Sequence, residues 1–416
     1  MIKRLLVVVV FILAAPIFAQ EGTSSPYSYY GIGSLNFRGT VENQAMGGLS
    51  ILGDSVHLNL LNPAGYGALR LTNYTLGGEH SEINLKSDEG SASNRSTSLN
   101  YLALGFPLSD NLGAGFGLLP YTSVDYKITD ESDDAYRYYY GRGGLNKAFL
   151  SFGYEPFKGF RVGVTGNYNF GSIRNEAVSD EDDVSYGVRE VNNSDLSGFS
   201  FNIGLQYEKA LESGLTLYSS LNYIPESTLT SENTRNLETV LISRSENAVL
   251  SVVDQQSVAV DNNDLVLPSE VTLGFGVGER NKWFAGGEFS SQQSSDFTNR
   301  TFEISNAQFN NASKYRIGGY FVPKFNSITS YWDRVTYRAG ARFEETGLMI
   351  NNEDINEFGI SFGVGLPIGR AFSNANLSFE YGQRGTTSSG LVKEDFFKFG
   401  LSLSLNSKWF VPNKFN

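Results

Sequence analysis

The sequence predicts an all-β protein: a transmembrane antiparallel β-barrel of about fourteen strands with an N-terminal plug, or hatch, inside the lumen. Three observations point there. An export signal opens the chain, runs alternating apolar with small or polar residues fill most of the rest, and the connections between runs alternate between short turns and long polar stretches.

The signal comes first. Lys3 and Arg4 form a positive n-region, Leu5 to Ala15 an apolar core, and Ala19 a small residue before Gln20. This reads as a secretory signal peptide over residues 1–19, cleaved near Ala19 or Gln20, and too short to span a bilayer. No later stretch reaches the ~20 consecutive apolar residues of a transmembrane helix, so the exported chain is either soluble or a barrel. With no Cys, a lipid-modified N-terminus and structural disulfides are excluded. The counts of 45 Gly, 30 Phe and 23 Tyr beside 11 Pro give an aromatic, glycine-rich β profile. A mean hydropathy of -0.22 suits strands in which each lipid-facing residue is followed by a lumen-facing one. The net charge of -12 argues against a nucleic-acid partner.

Residues 20–70 come next, and Tyr27 to Tyr66 is too apolar for a linker and too rich in Gly and Asn for a long helix. A barrel of this size lies between those that side chains fill and the wide porins, so something must occupy its lumen. This segment enters from the periplasmic side and is read as that plug. Its candidate residues are Tyr30, Gly31, Gly33, Ala45, Gly47, Gly48, Asp54, Ser55, Asn62, Pro63 and Ala64.

The barrel is assigned to residues 71–405. Phe358, Ile360, Phe362, Val364 and Leu366 alternate with Gly359, Ser361, Gly363 and Gly365, which a period of two places on opposite faces. The pattern returns in Phe397 to Leu405, where Lys398 falls on the inward face. Other strands are Tyr74 to Leu85, Leu102 to Leu108, Leu112 to Ile128, Phe149 to Tyr154, Phe160 to Phe170, Phe199 to Tyr207, Leu215 to Pro225, Val271 to Val277, Trp283 to Phe289, Tyr315 to Phe321, Val335 to Phe343 and Leu377 to Tyr381. Short turns at 109–111, 156–159, 212–214, 280–282 and 369–373 alternate with long connections at 86–97, 129–144, 172–196, 233–268, 299–312, 351–357 and 385–393. A membrane barrel segregates its loops in this way, turns in the periplasm and loops outside. The connection near Lys324 to Trp332 is the exception, being longer than its side allows. Tyr136, Tyr138, Tyr139 and Tyr140 at one end, and Phe106, Tyr154, Phe157 and Trp283 at the other, read as interfacial girdles. Residues 406–416 form a periplasmic tail, which puts both termini in the periplasm of a Gram-negative outer membrane.

The run Ala45-Met46-Gly47-Gly48, then Gly53-Asp54-Ser55, then Asn62-Pro63-Ala64, resembles the hatch of the FadL/TodX outer-membrane transporters of long-chain fatty acids and aromatic hydrocarbons. Leu267-Pro268-Ser269-Glu270-Val271-Thr272-Leu273-Gly274 is similar to that family's Leu-Pro entry into a strand. The resemblance implies a fourteen-stranded barrel and an apolar ligand that moves along the lumen to the hatch and leaves sideways through a gap in the wall. Tyr27 to Gly33 is an addition ahead of the hatch, and Arg38 is the one basic residue in the hatch that could meet a carboxylate.

Other motifs weaken on inspection. Gly53-Asp54-Ser55-Val56 resembles a GDSL-type lipase block, but that chemistry needs a late His and the only histidines are His57 and His80. The sequence therefore points to no enzyme and calls for no cofactor or metal. Gly113, Gly115 and Gly117, with Gly274, Gly276 and Gly278, alternate within strands and read as lumen-facing or kinked positions that could weaken the wall into a lateral gap. The acidic runs 130–134 and 180–183 are solvated outer-loop acids, or sites where divalent ions bridge to lipopolysaccharide. Arg161, Arg316, Arg338, Arg342, Glu380 and Lys398 should face the lumen, either as a network holding wall to hatch or as a ligand path. Outer-membrane lipid and lipopolysaccharide are the expected surroundings. Two functions follow: passive uptake of small hydrophobic molecules gated by the hatch, or a non-transporting barrel docked to a larger outer-membrane secretion or assembly complex through the apolar Val249, Leu250, Val252 and Val253.

Overall fold

The computed structural model describes residues 25–131, 135–245, 248–296, 306–368 and 373–408. The signal peptide, its cleavage site, residues 132–134 of the first acidic run and residues 409–416 of the tail lie outside them.

In chain order the elements are β1 (Ser34–Leu35), the short helix α1 (Val41–Gln44), β2 (Thr72–Lys86), β3 (Ser91–Pro107), β4 (Leu112–Pro120), β5 (Thr122–Glu131), β6 (Ala135–Phe157), β7 (Phe160–Glu181), β8 (Gly187–Ala210), β9 (Thr216–Ile224) and β10 (Ser227–Ser243). They continue as β11 (Ala248–Val258), β12 (Asn263–Leu267), β13 (Glu270–Glu279), β14 (Trp283–Gln292), β15 (Ala307–Phe309), β16 (Ala312–Phe321), β17 (Thr336–Ile350), β18 (Glu353–Ile368), β19 (Ser373–Arg384) and β20 (Lys393–Ser407). β4 with β5, β9 with β10, and β12 with β13 each make one broken crossing, and the result is a closed antiparallel barrel of 14 strands. Closure is made by β20 on β2, in register from Thr72↔Ser407 to Lys86↔Lys393.

The barrel is inside out compared with a soluble sheet. Phe199, Phe201 and Ile203 are exposed while Ser200 and Asn202 between them are buried, and Ser402 and Ser404 are buried between exposed Leu401 and Leu405. Water would punish that arrangement; hydrocarbon outside and a packed polar lumen inside favour it.

Residues 25–71 run through the ring. Ser25 bonds Glu394 at the long-loop end of β20, and the segment descends to enter β2 at Thr72, opposite Ser407. Thr40 caps α1 through a reciprocal capping box with Asn43. Gly47 and Gly48 then reverse the chain at φ 70° and 89°. Asn62 caps the turn of 3-10 helix at Pro63–Ala68, accepting from the Ala64 amide at 3.0 Å with Pro63 in the first helical position, so Asn-Pro-Ala is a helix start. Because the segment's backbone touches the wall, the wall is glycine there. A Cβ on Gly340 would strike Met46 and Gly47, and one on Gly163 would strike Pro63 and Ala64.

Three expectations change. The stretches read as long loops at 129–144, 172–196 and 233–268 are largely strand: β6, β7 and β8 run for 23, 22 and 24 residues, far beyond the ~9–11 needed to cross a bilayer. Past the membrane both faces meet polar surroundings, so the alternation that signals a strand disappears. Tyr136 and Tyr138 are buried against Val178 inside this extension and form no girdle. Ser25 lies at the long-loop end of the barrel and Ser407 at the other, so the described part of the N-terminal segment begins at the end opposite the one from which the sequence reading has it enter.

Replacing Gly340 with Val should leave the barrel closed but displace Met46 and Gly47, destabilising the fold by about 1–3 kcal/mol through overpacking. Loss of hydrogen-exchange protection at the Gly47 amide, which donates to Ser361 at 3.0 Å, is the readout.

Candidate functional site

The lumen is held by charge. Arg38 meets Glu270 of β13 at 3.0 Å. The Ser50 amide and hydroxyl both donate to Glu288 of β14, at 2.7 and 2.8 Å, and Arg316 reaches the same carboxylate at 3.4 Å. Gln44 donates to Glu79 at 2.5 Å and to Glu380 at 3.2 Å. Glu380 takes Arg342 at 2.7 Å, Arg342 also binds Glu357, and Glu357 binds Arg384. Glu42 accepts from Asn376 and Ser404 at 2.7 and 3.1 Å. Apart from Glu42, which α1 of the segment itself supplies, each carboxylate lies on the inward parity of its strand, so the alternation that turns Phe and Leu to lipid delivers these acids to the lumen.

Among the described residues the wall is broken between β3 and β5. The β3–β4 ladder ends at Leu102↔Leu118, and after Pro120 the chain turns inward as β5, which pairs with β6 but not with the outer half of β3 among the described residues. Proline at this bend removes a ladder donor. The exposed edge of β5 is covered from inside by β1, in register Ser34↔Ser123 and Leu35↔Thr122, and the Asn36 amide donates to Tyr121 O at 2.9 Å. Tyr27 to Gly33 extend this cover: Tyr29 packs edge-on against Tyr126, and the Tyr27 hydroxyl donates to Val392 O at 2.5 Å. A cavity of about 200 Å³ lies on the other side of this segment, between Tyr27, Tyr30 and Phe37 and the inner face of β16 to β20. Of its cations, Arg38, Lys314, Arg316, Arg342 and Arg384 each hold a carboxylate, and Lys398 stands 4.0 Å from Glu79. Lys147 differs: it is buried with its ammonium 3.6 Å from the centre of the Tyr121 ring, beside a chamber of about 50 Å³, room for a few waters.

The structure brings most of the expected residues together. Ala45 packs on Gly363, Gly47 on Ser361 and Gly340, and Gly48 beside Arg316. Asn62 donates to Leu205 O and Leu221 O at 3.4 and 3.3 Å, with Pro63 and Ala64 buried against β7. Tyr30, Gly31 and Gly33 belong to the cover over β5, where Gly33 at φ 96° lies against Ser123. Arg161 binds Glu208 at 2.9 Å and Arg338 bonds Asn376 at 3.3 Å, while Lys398 stands 4.0 Å from Glu79. Arg38 is neutralised by Glu270 and so is no free partner for a carboxylate. Glu270, Glu288, Glu357, Glu394 and Lys147 were not singled out from the sequence; inward parity was the signal that could have found them.

Ser55 uses its carbonyl to accept from the Arg70 and Leu71 amides. Asp54 holds His57 Nδ1 at 2.6 Å and accepts from the Val56 amide at 3.1 Å, and His57 Nε2 meets Asn374 at 3.2 Å. Both ring nitrogens are thus engaged away from the Ser55 hydroxyl, the reverse of a nucleophile-base pair. In the outer extension Asp180 and Asp182 both bind Arg244 at 2.6 Å, which leaves less of this acidic run for bridging ions than its sequence implies. Gly113 and Gly115 face Tyr66, and Gly274 faces Ile51, so these glycines make room for the segment.

A family model described as BamG matches residues 1–416. No curated protein matches the chain. Among solved structures it is similar to a Pseudomonas aeruginosa FadL homologue (TM-score 0.61, 12% identity, covering 91% of this chain and 99% of that one). The toluene transporter TbuX of Ralstonia pickettii gives TM-score 0.58 at 12% identity over 89% and 99%. The toluene transporter TodX of Pseudomonas putida gives 0.56 at 14% identity over 90% and 100%. At these identities the likeness is one of fold.

Two outcomes test this site. Glu357→Gln removes the nearest carboxylate from Arg384, leaving it Glu394 at 3.8 Å, and one of the three carboxylates around Arg342, so denaturant unfolding should show a loss of about 3 kcal/mol, the low end for a broken buried pair. The Asp54–His57 pair sets a pH window. Burial alone would raise the Asp54 pKa, but His57 and hydrogen bonds from it and the Val56 amide hold it down at about 2. Burial would lower that of His57, but Asp54 outweighs this and raises it above 6.5. The Asp54 share of stability is lost as pH falls from 3.8 towards 2, and the His57 share as pH rises through its raised value. Protection of the Val56 amide, corrected for intrinsic exchange, should therefore peak between these limits, and His57→Gln should remove its decline on the alkaline side.

Proposed function

Since this chain belongs to the BamG family, as its full-length match to that model shows, and shares the barrel fold of the FadL-like proteins, we propose that it is an outer-membrane barrel for passive uptake of small hydrophobic molecules, gated by its N-terminal segment. The observation that carries this reading is the broken wall between β3 and β5, where the free edge of β5 is covered by that segment through Ser34 and Leu35, the Asn36 amide on Tyr121 O and the Ser25 amide on Asp125 O. TbuX and TodX are described as toluene transporters. A neutral apolar cargo suits this chain as well, because the cations around the 200 Å³ cavity already hold carboxylates. An apolar molecule gains by leaving sideways into hydrocarbon and gains nothing by crossing an aqueous mouth.

A second reading, a barrel subunit docked to a larger outer-membrane complex, is favoured by β11. This strand pairs with β10 alone among the described residues and leaves Leu250 to Ser257 exposed in sequence. A long unpaired edge bearing Leu250, Val252 and Val253 is a template for another strand. Gentle extraction separates the two readings: a stoichiometric protein partner with an empty lumen supports docking, and a lumen-bound apolar molecule supports uptake.

The gate is testable by cross-linking, because the chain has no Cys. Ser34→Cys with Ser123→Cys joins two ladder partners. Oxidised protein in vesicles should take up an apolar fluorescent probe at least roughly tenfold more slowly than reduced protein, as expected where closure of one strand pair decides access. Equal rates would remove the segment from any gating role.

A further inference from the structure

The connection between β16 and β17, residues 322–335, lies at the short-turn end of the barrel and is longer than its neighbours there. It is a built loop, fastened by Lys324 N to Asp333 O at 2.8 Å, Ser327 N to Lys324 O at 3.0 Å, the Ser327 hydroxyl to Asp333 at 3.1 Å and Arg334 N to Tyr331 O at 3.1 Å. Yet it holds Ile328 fully exposed, at 100%, and Trp332 at 66%, with Phe325 and Tyr331 about 40% exposed. An ordered loop that presents such side chains to water would form an apolar patch with no function.

Its position supplies one. Arg316, Tyr320, Arg338 and Arg342 face the lumen, so Gly319, Phe321, Tyr337 and Ala339 face outward. The Tyr337 hydroxyl reaches Trp332 O at 3.5 Å and that of Tyr331 reaches Pro367 O at 3.2 Å, which sets the loop beneath the lipid-facing wall. Above it the small residues Gly319 and Ala339 open an apolar groove of about 600 Å³ walled by Phe321, Tyr337, Phe362 and Phe379. Lys324 follows Phe321 of the groove wall by three residues and Arg334 precedes Tyr337 by three; both are exposed, and among the described residues neither has a carboxylate within ion-pair distance, while Arg334 lies 5.5 Å from the Tyr331 ring centre.

We propose that this loop is a lipid-binding foot. Phe325, Ile328 and Trp332 insert into the leaflet at the short-turn end, one acyl chain of an anionic phospholipid lies in the Gly319–Ala339 groove, and its phosphate rests against Lys324 and Arg334. The charge complementarity selects the lipid: two unpaired cations at the rim favour an anionic over a zwitterionic head group, and exposed Trp and Tyr belong at the headgroup level. This inference rests on the reading of the barrel as a membrane protein, and it is independent of what passes through the lumen.

Single-tryptophan proteins test it in vesicles. Trp283→Phe with Trp409→Phe leaves Trp332, and Trp332→Phe with Trp409→Phe leaves Trp283, which faces outward on β14 beside buried Phe284. Phospholipids brominated on the acyl chains should quench Trp332 as strongly as Trp283, while aqueous iodide leaves both unchanged. Phosphatidylglycerol should remain bound after detergent extraction, and Lys324→Gln with Arg334→Gln should abolish its preference over phosphatidylcholine without changing the quenching. Iodide quenching of Trp332 with bromolipid quenching only of Trp283 would overturn the foot and mark the loop as a surface for a soluble protein. Bromolipid quenching of neither residue would overturn the membrane reading on which the foot depends. Equal retention of both lipids by the unaltered protein would overturn the head-group site.

Discussion

A strand edge in hydrocarbon must be paired, since each unsatisfied backbone group there costs several kcal/mol. The rest of this structure depends on that constraint. Closure of β20 on β2 answers it around nearly the whole ring. The ladder fails between β3 and β5, and there the chain spends residues of its own N-terminal segment to pair the edge of the inward-turned β5. The segment is thus more than filler: it completes hydrogen bonding that the wall leaves open.

The second constraint follows from the first. A closed barrel with lipid outside must turn its polar parity inward, and those groups need partners once the lumen is filled. Glu270, Glu288 and Glu380 find theirs on Arg38, Ser50 and Gln44 of the segment and on Arg316 and Arg342 of the wall. Buried pairs of this kind add little net stability compared with apolar packing, but separating one partner from the other is strongly unfavourable. They therefore act as registration marks, and a segment shifted by one residue would leave several charges alone.

Much of this was legible in the sequence, and the reasons are local. The alternation in Phe358 to Leu366 named the lipid face and the lumen face correctly because one side meets hydrocarbon. Asn62-Pro63-Ala64 stood out only as part of a run resembling a hatch, and its role as a capped helix start emerged from the geometry. The outer halves of β6, β7 and β8 escaped because polar residues on both faces carry no period. The break at Pro120 was hidden inside the single apolar run Leu112 to Ile128, since nothing in composition separates a straight strand from one that bends inward. Lumen-facing charges were assigned by parity, but parity gives a face and not a partner, so Glu380 was named without its Arg342 and the other acids that neutralise the cations went unnamed. Tyr27 to Gly33 could not be read at all, for their role is to pair with and pack on a strand nearly a hundred positions later.

The route of the segment bears on how the molecule can be made. Tyr27 is bonded to Val392, and Ser25 to Glu394, so residues made early are enclosed by strands made last. The ring cannot zip shut between β20 and β2 before its contents are inside without leaving them outside for good. Assembly must gather both extremes of the chain before the final seam forms, and contacts of such long sequence separation are slow to find. The interval before closure, when an unfinished sheet and its unburied charges stand exposed, is the stage at which this polypeptide most needs protection from misassembly.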